Sequence, residues 1–252
     1  MKLTVKLTHL RILVLMHSTV IFSSTPQHYQ IGLCMMATGK YISYAKACVE
    51  SAKKYFCTNH NITYFVFTDS QEQLNDPQIV QIFQKRLGWP YDTMMRFEVY
   101  FKNQDQMKNM DYIFALDADM LFVAPVEDEI LTTRVATQHP GFVNQRGTYE
   151  TKAISKACVK PNEGKYYFAG GFYGGSHDEF FKLLKICNQN IYDDLSQNYI
   201  AIWHDESHLN RYFIDNPPTK ILSPSYCYPE SWHLPYPKKL LALDKNHAKM
   251  RE

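Results

Sequence analysis

Tyr112-Ile113-Phe114-Ala115-Leu116-Asp117-Ala118-Asp119 is the stretch on which the fold turns. Five residues with apolar bodies run without a break into two acids spaced two apart, the pattern of a buried strand whose end meets solvent. Upstream, Ile31–Ala37 and Thr63–Phe67 read as two more buried strands, separated by a helix near Ser43–Phe56 whose Ala45, Cys48, Val49 and Ala52 share one face. This β-α-β opening predicts an α/β protein with a parallel, doubly wound sheet and a ligand crevice at the carboxyl ends of its strands. Ile79–Leu87 fits a strand or a helix, and Trp89–Thr93 breaks it ahead of a helix near Met94–Lys102. The chain has 252 residues, 27 Lys+Arg against 25 Asp+Glu, and 45% hydrophobic residues, which excludes a disordered chain and the dense basic surface of a nucleic-acid binder. With no repeat, low-complexity tract or linker in view, one domain is expected.

In extended backbone, residues i and i+2 project to the same side, so Asp117 and Asp119 repel each other unless a cation lies between them. Hard divalent ions take oxygen ligands and leave positions for phosphate oxygens, so this spacing suits a metal bridging a diphosphate. A solvated acidic turn is the competing reading. Downstream, Tyr166–Gly175 sets four glycines among five aromatics, which suits close backbone approach to a ligand or a tightly packed, bent strand. Trp203-His204-Asp205-Glu206-Ser207-His208-Leu209-Asn210 packs an aromatic, two acids and two histidines into eight residues. His204 and His208 have the i, i+4 spacing of zinc ligands, but the Glu falls one position late for the metalloprotease pattern. Capping by Asp205 or Ser207 is the plainer alternative.

Residues 1–25 have a basic start, a short apolar middle interrupted by Arg11 and His17, and a small-residue end at Ser23-Ser24-Thr25. These are the parts of a signal peptide or short signal anchor, and an irregular amphipathic segment is the alternative. Six cysteines without a CxxC pair read as buried free thiols rather than a metal knuckle. Asn61-Ile62-Thr63 is a glycosylation sequon, relevant only to an exported chain.

Taken in order, Phe114–Met120, His139-Pro140-Gly141-Phe142, Tyr166–Gly175, Trp203–Asn210, Pro218–Pro224 and Lys245-Asn246-His247 resemble glycosyltransferase family 6, the family of the histo-blood group A and B transferases. The likeness covers roughly residues 30 to 251, and the Trp-to-Asn octapeptide is its most specific part. The resemblance implies a single GT-A (Rossmann-like nucleotide-diphospho-sugar transferase) catalytic domain over 26–252. It also implies retaining transfer of galactose or N-acetylgalactosamine from its UDP donor to the 3-hydroxyl of a β-galactoside glycan, with or without 2′-fucose. By position, Asp117 and Asp119 would hold Mn²⁺ (or Mg²⁺), Tyr41 would stack on uracil, and Met36, Thr38, Ala118 and Asp205 would contact the donor. Arg96 would reach the donor sugar, while Lys245 and Arg251 would close on the pyrophosphate. Ala169-Gly170-Gly171 occupies the family's donor-specificity triplet, and Gly171 favours N-acetylgalactosamine by leaving space for the acetamido group. His139, Thr148 and Trp203 fall at acceptor positions. Glu206 falls beneath the anomeric carbon, as nucleophile or as stabiliser of an oxocarbenium-like centre, and also beside the acceptor.

Of three departures from the family pattern, the first two bear on the acceptor side. Tyr228-Pro229, followed by Glu230, replaces the family's Trp-Asp; the His139–Thr148 loop is shorter; and the similarity starts soon after the leader, leaving almost no stem. The intact aspartate pair implies metal dependence. The implied location is the secretory pathway or Golgi lumen in a eukaryote, or an exported or membrane-associated site in a bacterium, with weak anchoring through the N-terminus. A non-catalytic, lectin-like protein of the same fold that binds a UDP-sugar or glycan is the main alternative, and a zinc hydrolase using His204 and His208 a remote one.

Overall fold

The structure is a computed structural model that describes residues 27–251; the leader expected at 1–25 lies outside the described residues. Strands β1 (Gln30–Met36), β2 (Asn61–Thr68), β3 (Ile79–Phe83), β4 (Tyr112–Asp117), β5 (Met120–Phe122), β6 (Arg134–Gln138), β7 (Phe168–Ser176), β8 (Lys220–Leu222), β9 (Tyr228–Pro229) and β10 (Leu240–Ala242) build two sheets. Seven strands lie in the order β3-β2-β1-β4-β7-β6-β8, and β5-β10-β9 form the small second sheet. From β3 to β4 the pairings are parallel, whereas β7 runs antiparallel to both β4 and β6. The helices are α1 (Tyr41–Tyr55), α2 (Tyr91–Met94), α3 (Arg96–Lys102), α4 (Gln104–Met107), α5 (His177–Ser196), α6 (His204–Asp215) and α7 (His247–Arg251).

Period-two alternation sorts the strand side chains into two cores. Ile31, Leu33 and Met35 of β1 and Phe114 and Leu116 of β4 pack with Ala45, Cys48, Val49 and Ala52 of α1. Cys34, Ile113 and Ala115 face the other way, against Phe97 and Tyr100 of α3 and Leu183 and Leu184 of α5. Helices therefore cover both faces of the main sheet, as the sequence leads one to expect of a doubly wound α/β domain. The ambiguous Ile79–Leu87 segment resolves as the edge strand β3, half-buried on both faces, which is why it lacks a clear period. The helix expected from Met94 begins at Tyr91, with Pro90 at its cap where no N–H is required, and a kink at Met95 separates α2 from α3.

The glycine-rich stretch divides in two. Gly174 and Gly175 serve strand packing, because a Cβ on Gly174 would lie 2.3 Å from the Ile113 oxygen and one on Gly175 (φ +150°) 2.1 Å from the Thr133 oxygen. The β6–β7 register jumps from Ala136↔Tyr173 to Thr137↔Ala169, so Gly170, Gly171 and Phe172 have no partners in β6 and form a bulge on that side of β7. Since Leu116 pairs with Phe172, the bulge carries Gly170 and Gly171 past the end of β4, beside Asp117. All six cysteines are free thiols, five buried and Cys158 half-buried. Asn61 of the sequon is exposed. Among the described residues, no helix is long and apolar enough to cross a membrane.

Candidate active site

Above the carboxyl ends of β1 and β4 lies a cleft of about 310 Å³ lined by Met36, Thr38, Tyr41, Arg96, Asp117, Ala118, Asp119, Trp203 and Lys245, among others. A second lobe of about 180 Å³ adjoins it, lined by Gly170, Gly171, Asp205 and Glu206 and sharing Thr93, Arg96, Asp117, Trp203 and His204 with the first. The crevice is where parallel strands ending on one side should place it.

Asp117 and Asp119 reach this cleft by a route other than extended backbone. Asp117 ends β4, and Ala118-Asp119 form the turn into β5, which leaves the main sheet to pair with β10. Each carboxylate has its own cation. Arg96 Nη1 donates to Asp117 Oδ1 at 2.7 Å, and Lys245 Nζ contacts Asp119 Oδ2. Arg96 is buried, and its Nε also meets Asp205 Oδ2 at 3.0 Å while Nη1 reaches the Gly170 oxygen at 3.3 Å. One guanidinium fork thus ties β4, the β7 bulge and the first turn of α6.

Two neighbouring acids on α6 sit behind that fork. Burial pushes the Asp205 carboxyl up to about 6, with Arg96 opposing the shift. Burial likewise raises Glu206 to about 7, although Gly170 N–H donates to its Oε2 at 2.8 Å and the Tyr167 hydroxyl to its Oε1 at 2.9 Å. Glu206 is therefore fixed at both oxygens, in the lobe next to Asp117. His204 opens α6 in the left-handed region (φ 50°), a strained start for a residue with a Cβ.

On the far side of Tyr167, the His139 ring lies 5.7 Å from the tyrosine ring and 4.9 Å from Phe142. Burial lowers His139 to about 4, and its Nδ1 accepts from Gly141 N–H at 3.1 Å, which leaves the proton of the neutral ring on Nε2. Trp203, 47% exposed, donates from Nε1 to Thr148 Oγ1 at 2.7 Å.

The sequence profile of glycosyltransferase family 6 matches residues 17–252, a span that starts within the segment read as a leader. The chain belongs to glycosyltransferase family 6. It is 37% identical over 244 residues to the rat histo-blood group ABO system transferase 1, covering 89% of this chain and 69% of that protein. It is also 31% identical over 241 residues to the human globoside α-1,3-N-acetylgalactosaminyltransferase 1, covering 90% and 70%. With the O-antigen biosynthesis glycosyltransferase WbnI of Escherichia coli it shares 27% over 224 residues, 85% of this chain and 94% of that one. The architecture is accordingly that of a GT-A glycosyltransferase.

As a family 6 glycosyltransferase, the chain brings most of the residues singled out from its sequence into the two lobes. Ala169 is the exception within its triplet: its side chain packs in the core, and only Gly170 and Gly171 line the cleft. Arg251 ends α7, whose backbone oxygens at Lys249 and Met250 accept from Lys40 Nζ at 2.6 Å and Arg86 Nη2 at 3.4 Å, with Met250 lining the cleft. The zinc alternative fails on geometry. His204 faces the cleft beside Trp89, whereas His208 is 1% exposed with its Nε2 3.5 Å from Asp194. Asp205 does not cap α6, because Arg96 holds it, and the Ser207 hydroxyl accepts from Trp203 N–H. Glu230 does not take the place of the family's missing aspartate; its Oε2 accepts from Asp244 N–H at 2.9 Å. Trp89, Asp92 and Tyr167 are site residues the sequence reading passed over, and only the Gly-rich context of Tyr167 hinted at a role.

The donor set suits a hard divalent ion: two carboxylates on one turn, both opening on a cleft roomy enough for phosphate. Among the described residues no group of three or more His, Cys, Asp or Glu side chains is placed to hold a metal ion, so such an ion would complete its shell with ligand oxygens and water.

Proposed function

We propose that this glycosyltransferase moves N-acetylgalactosamine or galactose from its UDP donor to the 3-hydroxyl of a β-galactoside glycan, with retention at C1. The observation that carries this is Glu206, held at both oxygens by Gly170 N–H and Tyr167 O–H in the lobe adjoining Asp117. The two lobes divide the donor. Uracil stacks on Tyr41 near Met36 and Thr38, the diphosphate lies over Asp117-Ala118-Asp119, and the sugar enters the lobe of Gly170, Gly171 and Glu206. Asp117 and Asp119 would hold Mn²⁺, or Mg²⁺, which would supply neutralising charge to the diphosphate. Lys245 and Arg251 add positive charge there, and Lys245 is already in the cleft on Asp119.

In the reaction the C1–O bond to the diphosphate breaks, its electron pair leaves with UDP, and a bond forms from acceptor O3 to C1 as O3 loses its proton. Glu206 faces the carbon that becomes electron-poor, as nucleophile or as fixed counter-charge, and both roles need its ionised form. The acceptor lies against Trp203, Thr148 and His139, the last offering Nε2–H as a donor. Gly171 selects N-acetylgalactosamine by keeping its wall of the lobe free of a side chain; a Cβ there would lie 3.1 Å from Cys227 Sγ and 3.2 Å from Met120 Sδ, so it would shift the wall. Action in the secretory pathway, or outside the cytoplasm of a bacterium, fits a glycan acceptor. The test is a matrix of UDP-galactose and UDP-N-acetylgalactosamine against lactose, N-acetyllactosamine and their 2′-fucosylated forms, with Mn²⁺ or EDTA. Transfer that needs Mn²⁺, prefers UDP-N-acetylgalactosamine and vanishes in Glu206→Gln is expected. Binding without transfer in every cell of the matrix would refute the reading.

A further inference from the structure

A further buried carboxylate lies beside the residues assigned to the acceptor. Glu150 follows Thr148 by two residues and is 3% exposed. Three uncharged donors meet its carboxylate: Lys152 N–H on Oε1 at 2.7 Å, and the Tyr199 hydroxyl and Ile202 N–H on Oε2, each at 2.9 Å. Its own backbone oxygen accepts from Val159 N–H at 2.7 Å, fixing the Thr148–Glu150 strip against the following loop. Ile202 is the residue before Trp203, so Oε2 grips the chain one residue from the indole that donates to Thr148. The Thr148–Trp203 bond and the Glu150–Ile202 bond thus form two rungs between the same two chain segments, one exposed and one part-buried.

The inner rung is the stronger constraint. Burial works against the Glu150 charge, and the N–H and hydroxyl donors overcome it, so the group is held below the usual carboxylate range. Its acceptor oxygens are also irreplaceable by an amide, because three donors converge on it and an amide offers only one oxygen. None of Lys152, Tyr199 and Ile202 lines the donor cleft. We propose that Glu150 is a positioning residue for the glycan acceptor, holding Trp203 and Thr148 at the spacing that receives the sugar without touching it. The proposal rests on the acceptor side being where the preceding section places it.

The test uses the full chain with the donor and acceptor the wild type prefers, measuring acceptor KM, UDP affinity and donor hydrolysis without acceptor. Glu150→Gln should raise acceptor KM about 10-fold, the scale of losing a hydrogen bond to a buried donor, while UDP affinity and donor hydrolysis stay within about two-fold. Tyr199→Phe, which removes one donor and leaves Ile202 held, should shift acceptor KM in the same direction by a smaller factor. In a double-mutant cycle with Thr148→Val, the two losses should be non-additive, as expected of groups acting through one pair. Parallel loss of hydrolysis and transfer, an unchanged acceptor KM in a soluble variant, or strict additivity with Thr148→Val would overturn the proposal. If Glu150→Gln fails to fold, Tyr199→Phe and its cycle with Thr148→Val decide the matter alone. A wild type that hydrolyses the donor yet glycosylates no β-galactoside refutes the acceptor assignment itself, an outcome distinct from these.

Discussion

Replacing Glu206 by Gln should destroy transfer and stabilise the fold, and the stabilisation should depend on pH in a defined way. The Glu206 proton leaves near pH 7 in the folded chain, against an ordinary value of 4.5. Below about pH 4.5 both folded and unfolded chains hold the proton, so Glu and Gln are electrically alike there. As pH rises towards 7 the unfolded chain ionises first, the folded chain binds more protons, and folding stability falls. Above that range the loss is complete, at most about 3 kcal/mol from 1.36 kcal/mol per pH unit of difference. Gln escapes this loss without giving up a contact. Its oxygen accepts from Gly170 N–H, and its NH2 donates to Tyr167, whose hydroxyl turns to accept. Urea unfolding of both proteins with EDTA and without donor, at pH 4.5, 6, 7 and 8, reads the difference. Variant and wild type should match at the lowest pH and diverge to as much as about 3 kcal/mol at the highest, or roughly 6 to 12 °C in Tm. A difference that is flat across pH, or a variant less stable than wild type at pH 8, would refute the claim that a desolvated carboxylate is held in reserve here.

The same carboxylate predicts that transfer by the wild type rises with pH through about 7, and that Tyr167→Phe, which removes a bond favouring the ionised form, moves this midpoint upward; a pH–rate profile reads both. Arg96→Lys should weaken UDP-sugar binding by about 10-fold in calorimetry, because one ammonium cannot span Asp117, Asp205 and the Gly170 oxygen as the fork does. Gly171→Ala should lower the preference for UDP-N-acetylgalactosamine over UDP-galactose by at least about 10-fold in competition assays. The added Cβ would lie 3.1 Å from Cys227 Sγ and 3.2 Å from Met120 Sδ, so Cys227→Ala should recover part of that loss. Asp117→Asn should abolish Mn²⁺-stimulated transfer, and EDTA should do the same to the wild type, each measured by radiolabelled sugar incorporation.

Where burial and period agree, the chain can be read from its residues. β1, α1, β2 and β4 fall close to their expected bounds because each strand is apolar on both faces and α1 carries one apolar stripe. Pairwise spacing is less dependable, since it assumes a backbone. Asp117 and Asp119 do not share a side by strand alternation, because the chain turns at Ala118 to feed a different sheet. His204 and His208 do not share a helical face, because His204 takes a left-handed backbone before the helix is established. Tyr167 and Glu150 were illegible for another reason: their partners lie 39 to 52 residues away, at Glu206, Tyr199 and Ile202, and no local pattern encodes such a bond.

The acidic turn Asp117-Ala118-Asp119 is charge-paired within the chain itself. Asp119 is buried, and Asp117, its side chain 37% exposed, is nonetheless bonded to a cation. Lys245 sits on Asp119, and Arg96 is shared by Asp117 and Asp205. Under the proposed function, a divalent ion arriving with a diphosphate would enter a cleft whose carboxylates are already paired, and would have to displace a cation from at least one of them. Lys245 is the one suited to leave, being a flexible point charge whose head can transfer to a phosphate oxygen, whereas the buried Arg96 fork is locked by its bonds to Thr93 and Gly170. Such an exchange would conserve charge contacts: the aspartates would hold the metal, and Lys245 would meet the anion that came with it. Lys245 precedes α7 (His247–Arg251) by two residues, so under the proposed function a lysine that moved with the diphosphate would draw on that helix.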